Sequence, residues 1–440
     1  MDDSIIPGFS KYSKQWRIDA LIQKYNLDAG LGAWLSTFEV SDLKIQKIID
    51  DLSENQVSNF HLPFSIAPNF VVNGRNMFFP LVSEESSVVA ALANAAGYWA
   101  RRGGFYAEVL GTEKKGQVHF QWKGKAEKLH LLFPQIKERL LEQSAYLMTK
   151  MVERGGGVSS LELKEMKHIL PDYFQLDIGF QTCDVMGANF INSCLEQFAK
   201  SLQEYFRTSE RTDGEEKDCK IIMAILSNYT PDSRVRAWME CPVTDLLEGQ
   251  SEEENSRFAI AFEQAIRISQ FDISRAVTHN KGIFNGIDAL ALATGNDFRA
   301  IEACGHAFAT RKGSYSGLTD VEITDGTFRF SIELAMAVGV VGGVTSVHPL
   351  AKLAMQILGN PTASGLMMYM ATAGLASNFA AVKALVSVGI QQGHMKMHLN
   401  NILTQLNIPK ERYPEIQRYF QDKTISYSAV EQYWKTHQDD

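Results

Sequence analysis

Residues 174–180 read FQLDIGF, so that Phe174, Leu176, Ile178 and Phe180 share one face of an extended chain. Strict alternation of apolar and polar or small residues predicts a β-strand with one buried face. This strand lies in a stretch where strands and helices alternate. The sequence on both sides of that stretch is richer in alanine and more helical in character.

The alternating stretch covers about residues 105–227. Its other strands are predicted at residues 105–110, 118–122, near Leu161 and 221–226. One helix is predicted at residues 126–154, where three glycines end it, and a second at residues 187–206. This order of elements suits a ferredoxin-like α+β unit.

The predicted fold is α+β, with this small domain (residues 105–227) inserted into a larger, mostly helical domain. Residues 1–104 and 228–388 form the two parts of the larger domain. Residues 389–440 give short helices punctuated by prolines, and they begin at Gly389 and Gly393, which can absorb backbone rotation. We therefore expect this last segment to be a C-terminal helical flap.

Composition indicates an ordinary globular protein that acts in the cytoplasm. Of 440 residues, 45% are hydrophobic and 21% charged, and the net charge of -8 argues against nucleic acid as a partner. The five cysteines form no CxxC pair, which favours reduced thiols. Residues 363–382 carry no charge but are rich in Gly, Ala, Ser and Thr, so we expect a core helix and no membrane span.

The polar residues with the most informative spacing lie in HNKGIFNGID (279–288) and ATGNDFRA (293–300). Lys281 is expected in a polar turn beside Gly282, where a desolvated ammonium could stabilise an oxyanion. A buried Asp297, sixteen residues later, could hold that lysine and adjust its pKa. A structural ion pair explains the same pattern equally well.

Four blocks in this order resemble the soluble, class II form of 3-hydroxy-3-methylglutaryl-coenzyme A (HMG-CoA) reductase. They are PLVSEESSVVAAL from Pro80, DVMGAN from Asp184, the lysine and aspartate blocks above, and QQGHMKMH from Gln391. The resemblance extends from about Ser53 to His398. It implies the interconversion of HMG-CoA and mevalonate plus CoA by two hydride transfers with NADH or NADPH.

The resemblance also implies four catalytic roles. Lys281 stabilises the oxyanion, and Asp297 bridges it to Glu85, which shuttles protons with a pKa raised by burial beside Asp297. His394 protonates the departing CoA thiolate. From the residues alone, Glu85 could instead be a solvated acid before a helix. His394 and His398 lack the glutamate of the zinc-protease pattern, and no metal site is expected.

Binding residues follow from the same blocks. Arg275 matches the arginine that holds the HMG carboxylate, and Ser87 and Asn285 match polar contacts to the acyl group. No GxGxxG follows a first strand, but a helix that begins at Gly187 could hold a pyrophosphate. The residues implied in nicotinamide-cofactor binding are Asp184, Met186, Gly187, Ala188, Asn189 and Asn228.

The sequence departs from the family at residues 54–58 (ENQVS for the usual ENxIG), at Ser86 and at Gln392. Two other functions therefore stay open: a catalytically silent CoA-binding relative, and an NAD(P)-dependent reductase of another carboxylated acyl-CoA. The resemblance further implies a homodimer or an assembly of dimers. The sequence decides neither NADH against NADPH nor the direction of the reaction.

Overall fold

The computed structural model describes residues 6–387, 399, 402–420, 423 and 425–437. Its strands are β1 (Phe64–Val72), β2 (Arg75–Val82), β3 (Tyr106–Val109), β4 (Lys114–Trp122), β5 (Gly157–Glu165), β6 (Tyr173–Gln181), β7 (Cys219–Ser227), β8 (Arg234–Pro242), β9 (Thr319–Thr324) and β10 (Thr327–Ala335).

Its helices as far as residue 308 are α1 (Lys14–Tyr25), α2 (Leu31–Ser36), α3 (Leu43–Asp50), α4 (Ser86–Ala100), α5 (Ala126–Val152), α6 (Ala188–Thr208), α7 (Glu252–Phe271), α8 (Ile273–Ala293) and α9 (Phe298–Phe308). The later ones are α10 (Gly343–Val347), α11 (Pro349–Ile357), α12 (Ala363–Ser387), α13 (Tyr413–Tyr419) and α14 (Tyr427–His437).

One antiparallel sheet has the strand order β5-β6-β4-β7, and its chain order with two helices is β4-α5-β5-β6-α6-β7. Every second residue of β4 is buried, and Val118, Phe120 and Trp122 are completely so. These side chains form one hydrophobic core with Phe174 and Phe180 of β6 and with residues of α5 and α6. The alternating pattern in the sequence is therefore the buried face of this sheet.

A second four-stranded antiparallel sheet has the order β3-β8-β10-β9. The strand predicted at residues 105–110 exists as β3, but its assignment to the small domain is wrong, because Tyr106–Val109 pairs with β8. The small sheet begins only at Lys114. The expectation that the chain after residue 227 is mostly helical also missed β8, β9 and β10.

The missed strands carry a clear period of two. Phe328, Phe330, Ile332 and Leu334 of β10 are all buried, while the residues between them are half-buried or exposed. Val235, Ala237, Met239 and Cys241 of β8 alternate in the same way. Such alternation identifies a sheet with one face on a core. The alanine-rich helices on both sides of these strands concealed the signal.

Helix α12 is the central element of the larger core. It contacts α4, α7, α8 and three strands of the second sheet. By length and composition alone it could cross a membrane, but 78% of its most apolar window is buried inside the protein. The uncharged run is therefore accounted for by core packing, as its small residues predict.

The described C-terminal residues have a core of their own. It contains Leu403, Ile416 and Phe420 together with Val430 and Tyr433 of α14. Short helices in this region agree with the prolines seen in the sequence. Most of residues 388–401, which include the predicted acid His394, lie outside the described residues.

Candidate active site

Lys281 lies in the middle of helix α8, and the prediction of a polar turn at this position is wrong. The second glycine of HNKGIFNGID, Gly286, serves helix packing instead. A Cβ atom built on Gly286 would lie 2.5 Å from the Ala373 carbonyl oxygen of α12. The Ser377 hydroxyl donates to the Gly282 carbonyl over 2.7 Å. Helices α8 and α12 are thus antiparallel and in close backbone contact.

The predicted residues Glu85, Ser87, Lys281 and Asn285 line one cavity of about 530 Å³. We call it the acyl cavity, after the group that the resemblance would place in it. Lys281 and Asn285 are four residues apart on α8 and so share one helix face. Glu85 immediately precedes α4, and Ser87 lies in its first turn. The rest of the wall is mostly alanine and apolar, with Ala380, Ala381 and Ala384 from α12.

Glu85 is half-buried at the N-terminal end of α4, whereas its neighbour Glu84 is exposed. The backbone amide of Glu85 donates a hydrogen bond to Ser83 Oγ over 3.1 Å, which fixes the backbone just before α4. The Ser87 hydroxyl donates to the Glu85 carboxylate. A carboxylate held in this way is fixed beside the cavity and can exchange a proton with a bound group.

Lys383 is a cavity residue that the sequence reasoning missed. It lies on α12 and lines the acyl cavity together with Lys281. Its Nζ lies 3.9 Å from the centre of the Tyr98 ring, which the Arg102 guanidinium also approaches at 3.8 Å. Burial and the Arg102 charge lower the pKa of Lys383. The signal was present, since Lys383 is the first charge after the thirty uncharged residues 353–382.

Asp297 does not line the acyl cavity, and in the described chain it pairs with Arg299 and not with Lys281. It is the N-cap of α9 and accepts from the amides of Arg299 (3.1 Å) and Ala300 (3.2 Å). The Arg299 Nε also donates to it over 3.1 Å. Burial opposes ionisation of Asp297, but these hydrogen bonds outweigh it and lower the pKa of the carboxyl.

The separation of Lys281 and Asp297 follows from the rigidity of α8. Twelve helical residues lie between Lys281 and the end of α8 at Ala293. At 1.5 Å per residue they span about 18 Å, and Asp297 lies beyond them. Within one chain Lys281 therefore lies in the middle of α8 and Asp297 beyond its C-terminal end, and the predicted contact between them is not made within a protomer.

The DVMGAN block forms the turn between β6 and α6, as predicted. Gly187 is the N-cap of α6 with φ 92°, a left-handed conformation that favours glycine. A Cβ atom at this position would also lie 2.6 Å from Thr182 Cγ2. The amides of Ala188, Asn189 and the next residue precede the first intrahelical hydrogen bond, from Ile191 to Gly187. These donors suit an anion such as a pyrophosphate.

Other contacts fix this cofactor turn (residues 184–189) against the larger core. The Asp184 carboxylate accepts from the Ala363 amide at the start of α12 over 2.7 Å. A Cβ atom on Gly339 would lie 2.4 Å from the Met186 amide nitrogen. The Gly339 amide in turn donates to Asn296, the neighbour of Asp297. Asp184 thus ties the turn to α12, and Asn296, next to Asp297, is linked to the turn through Gly339.

Asn228 lies beside the start of α6. It follows the last residue of β7 and is exposed. The Asn192 side chain in the first turns of α6 accepts from the Leu226 amide over 2.9 Å, which ties the end of β7 to that helix end. The structure therefore brings Asn228 to the same end of the small sheet as the cofactor turn.

Arg275 is not part of the wall of the acyl cavity. It lies in the first turn of α8, where its amide donates to the capping Asp272 over 2.7 Å. Burial is the larger cause, and the Arg275 charge the smaller one, that lowers the pKa of His279 to about 3. His279 is therefore a neutral core histidine, held by Thr319 Oγ1 at 2.5 Å.

The chain is similar to known proteins over most of its length. The family model for hydroxymethylglutaryl-coenzyme A reductase matches residues 21–399. A 3-hydroxy-3-methylglutaryl-coenzyme A reductase of Archaeoglobus fulgidus is 37% identical over 403 residues, which are 91% of this chain and 86% of the relative. A probable reductase of Borreliella burgdorferi is 32% identical over 424 residues, 96% of this chain and 92% of the relative.

Solved structures agree with these relatives. The class II 3-hydroxy-3-methylglutaryl-CoA reductase of Streptococcus pneumoniae, bound to NADPH in open conformations, superposes with a TM-score of 0.71 and 37% identity. That comparison covers 87% of this chain and 99% of the solved one. A second structure of the reductase from this organism gives a TM-score of 0.71 at 35% identity and covers 98% of this chain.

Proposed function

The chain belongs to the hydroxymethylglutaryl-coenzyme A reductase family, and from this premise we propose how its residues divide the work of the reaction. The enzyme is an NAD(P)-dependent oxidoreductase that interconverts HMG-CoA and mevalonate plus CoA. The observation that carries the assignment of roles is the convergence of Glu85, Ser87, Lys281 and Asn285 on one cavity.

The acyl cavity binds the HMG group. Lys281 offers the ammonium that stabilises the oxyanion formed at the thioester carbonyl and again at the aldehyde. Glu85, fixed by Ser87, supplies and recovers the proton on that oxygen. Asn285 donates to the acyl group. Lys383 adds a second cation to the wall, which suits a substrate with a free carboxylate.

The β4–β7 sheet with α5 and α6 is a small ferredoxin-like cofactor domain inserted into the substrate-binding domain. Its turn at residues 184–189 and Asn228 hold NADH or NADPH, with the free amides at the start of α6 on the pyrophosphate. When bound, each molecule of reduced cofactor would supply one hydride, so the two reductions would use two molecules in turn. The residues of the chain position it, exclude water and handle protons.

The active enzyme is a dimer in which two chains complete each site. The cofactor turn is tied to α12 at Ala363, whereas Ser377 and Lys383 of the acyl cavity lie fourteen or more residues along the same helix. Fourteen helical residues span about 21 Å, so the cofactor turn and the acyl cavity of one protomer are well separated. The cofactor turn of one protomer therefore faces the acyl cavity of its partner. Asp297 lies next to Asn296, which is linked to the cofactor turn through Gly339. In the dimer it therefore meets the Lys281–Glu85 pair across the interface.

Residues 389–440 close over the bound substrates as a flap that brings His394 to the CoA sulfur. Closure excludes water and protects the aldehyde intermediate, and the imidazolium protonates the thiolate as it leaves. Arg275, less than two helical turns before Lys281 on α8, offers its guanidinium to the HMG carboxylate, as the resemblance implies. The assembly works in the cytoplasm without a metal ion.

The direct test follows nicotinamide absorbance in two reactions. Purified enzyme with HMG-CoA and NADPH or NADH should consume reduced cofactor, and enzyme with mevalonate, CoA and oxidised cofactor should produce it. Absence of both reactions in a folded protein that binds CoA would indicate the silent relative. Turnover with another carboxylated acyl-CoA but not with HMG-CoA would indicate the third function considered above.

A further inference from the structure

Lys114, the first residue of β4, is almost completely buried at 5% exposure. Its ammonium donates to Thr182 Oγ1 (2.5 Å) and to the Val185 carbonyl oxygen (2.7 Å). The Thr182 hydroxyl itself donates to the same carbonyl over 2.6 Å. Lys114 thus binds the cofactor turn at Val185, which lies two residues before Gly187, the N-cap of α6.

The charge of Lys114 has no paired carboxylate among the described residues. Both of its hydrogen-bond acceptors are neutral oxygens. The neighbouring Asp184 favours the charged form electrostatically, but its Oδ1 is engaged by the Ala363 amide, and Cys183 is the other nearby titratable group. A buried ammonium without a counter-ion is costly, and a bound anion would offset that cost.

The adjacent lysine has a different environment. Lys115 projects to the opposite face of β4, where it forms ion pairs with Glu113 and, at 3.5 Å, with Asp232. Its charge is therefore neutralised, whereas that of Lys114 adds to the positive end of the α6 dipole and its free amides. The cofactor turn joins two sources of positive potential, one from the helix and one from this side chain.

We infer that Lys114 is a positioning residue for the nicotinamide cofactor, which holds the Val185–Gly187 turn in shape and supplies the buried counter-charge for the cofactor pyrophosphate. The inference rests on the proposed cofactor role of residues 184–189. Lys114 acts through the turn and its field, so it needs no contact with the reacting atoms.

The protonation of Lys114 gives the inference a signature in pH. Burial lowers the pKa of Lys114 to about 8, although Cys183 and Asp184 oppose the shift. Deprotonation would remove the counter-charge, so cofactor affinity should fall as the pH rises above about 8. By linkage, binding of the anionic cofactor must then take up a proton in that range.

The experiment titrates NADPH fluorescence against wild type, Lys114→Met and Lys115→Met between pH 7 and 9.5. At pH 7, Lys114→Met should raise the Kd by about tenfold, the scale of one charge interaction in a partly desolvated site. The Kd of wild type and Lys115→Met should rise above pH 8, and that of Lys114→Met should not. Circular dichroism and the Tm establish that each variant is folded.

Calorimetry of wild type alone keeps the test decisive if Lys114→Met does not fold. NADPH binding at pH 8.5 in two buffers of different ionisation enthalpy should show net proton uptake. An unchanged Kd in folded Lys114→Met, or no proton uptake by wild type, overturns the inference alone. A wild-type protein that binds no NADPH overturns the cofactor role of the turn and the inference together.

Discussion

Lys281 projects from the middle of α8 with an exposed side chain, so it contributes little to the packing of the helix. Its position on the cavity wall beside Glu85 explains its presence better than stability does. Lys383 and Lys114 are different, because each is largely enclosed by protein and both have lowered pKa values. Among these lysines, substitution of Lys281 is therefore expected to change activity with the least change in stability.

Replacing Lys281 with alanine should reduce kcat by about 100-fold or more, as loss of a charged oxyanion stabiliser does. The Tm should stay close to that of wild type because the side chain is exposed. Steady-state assays and thermal unfolding measure the two effects, with the exposed Lys312→Ala as the matched control. Near-normal kcat in the folded variant would remove Lys281 from the mechanism.

His394→Gln should impair reduction of the thioester much more than reduction of free mevaldehyde. Only the thioester route expels a thiolate that needs a proton, and glutamine cannot supply one at neutral pH. The measurement is kcat with HMG-CoA and, separately, with mevaldehyde. Equal losses with both substrates would mean that His394 has another role.

Asp288 on α8 faces Glu302 on α9, and its Oδ1 is buried with no hydrogen-bond partner among the described residues. Burial, then the charge of Glu302, raise the pKa of Asp288 to about 8. A carboxyl with a raised folded-state pKa destabilises the protein increasingly as the pH rises from about 4, its usual value, to about 8. Asp288→Asn should therefore stabilise the protein at pH 8.5 and do so less at pH 5.

Urea unfolding of Asp288→Asn at these two pH values measures that effect, with the exposed Glu322→Gln as control. The control should shift stability equally at both values. A stability gain for Asp288→Asn that did not depend on pH would contradict the raised pKa.

At the scale of elements, the antiparallel pair α8 and α12 organises the molecule. Glycines on both helices allow close approach, since a Cβ atom at Gly374 would also lie within 3.0 Å of Ile287 and Ile283 atoms. One end of the pair carries Lys281 and the acyl cavity, and the other meets the cofactor turn through Asp184 and Ala363. The spacing between the two half-sites is thus set by two rigid helices.

Gly286→Ala should force α8 and α12 apart, because the added Cβ would lie 2.5 Å from the Ala373 carbonyl oxygen. The expected loss in the free energy of unfolding is about 1–3 kcal/mol, typical of overpacking a core. Gly282→Ala on the same helix is the matched control. No atom lies within 4 Å of its Cβ position, so it should stabilise α8 by about 1 kcal/mol. Equal effects of the two substitutions in urea unfolding would show that the helices are not in such close contact.

At the scale of the whole molecule, one chain holds two half-sites that cannot meet. The acyl cavity and the cofactor turn are separated by at least fourteen residues of α12, and Lys281 is separated from Asp297 by most of α8. In the two-fold dimer that we propose, each half-site would receive its complement from the other chain. Catalysis would then depend on assembly.

Mixing Lys281→Ala with Asp297→Asn subunits tests this dependence. Each variant alone should be nearly inactive. After denaturation and refolding together, half of the dimers should be mixed and each should have one intact site, which restores about a quarter of wild-type activity. The control places both substitutions in one chain and mixes it with wild type at the same ratio, where mixed dimers contribute none. No recovery in the first mixture, with dimers formed, would place both residues in one site of one chain.

The sequence by itself determined the local elements and the chemical inventory. Alternation over 118–122 and 174–180 predicted strands of the small sheet, and DVMGAN predicted a turn before a helix, because such patterns depend on neighbours two to four residues apart. The same patterns in β8 and β10 were overlooked between alanine-rich helices. The motif blocks identified the family and four residues that meet in the acyl cavity.

Only the tertiary structure decided which of those residues share a site. The position of Asp297 sixteen residues after Lys281 suggested a contact, yet most of that interval is straight helix that extends for about 18 Å from Lys281 to Ala293. The burial of Lys114 and the entry of Lys383 into the cavity depend on packing between elements far apart in the chain. Local spacing fixes the direction of a side chain on its own element, whereas proximity across elements is a property of the packed core.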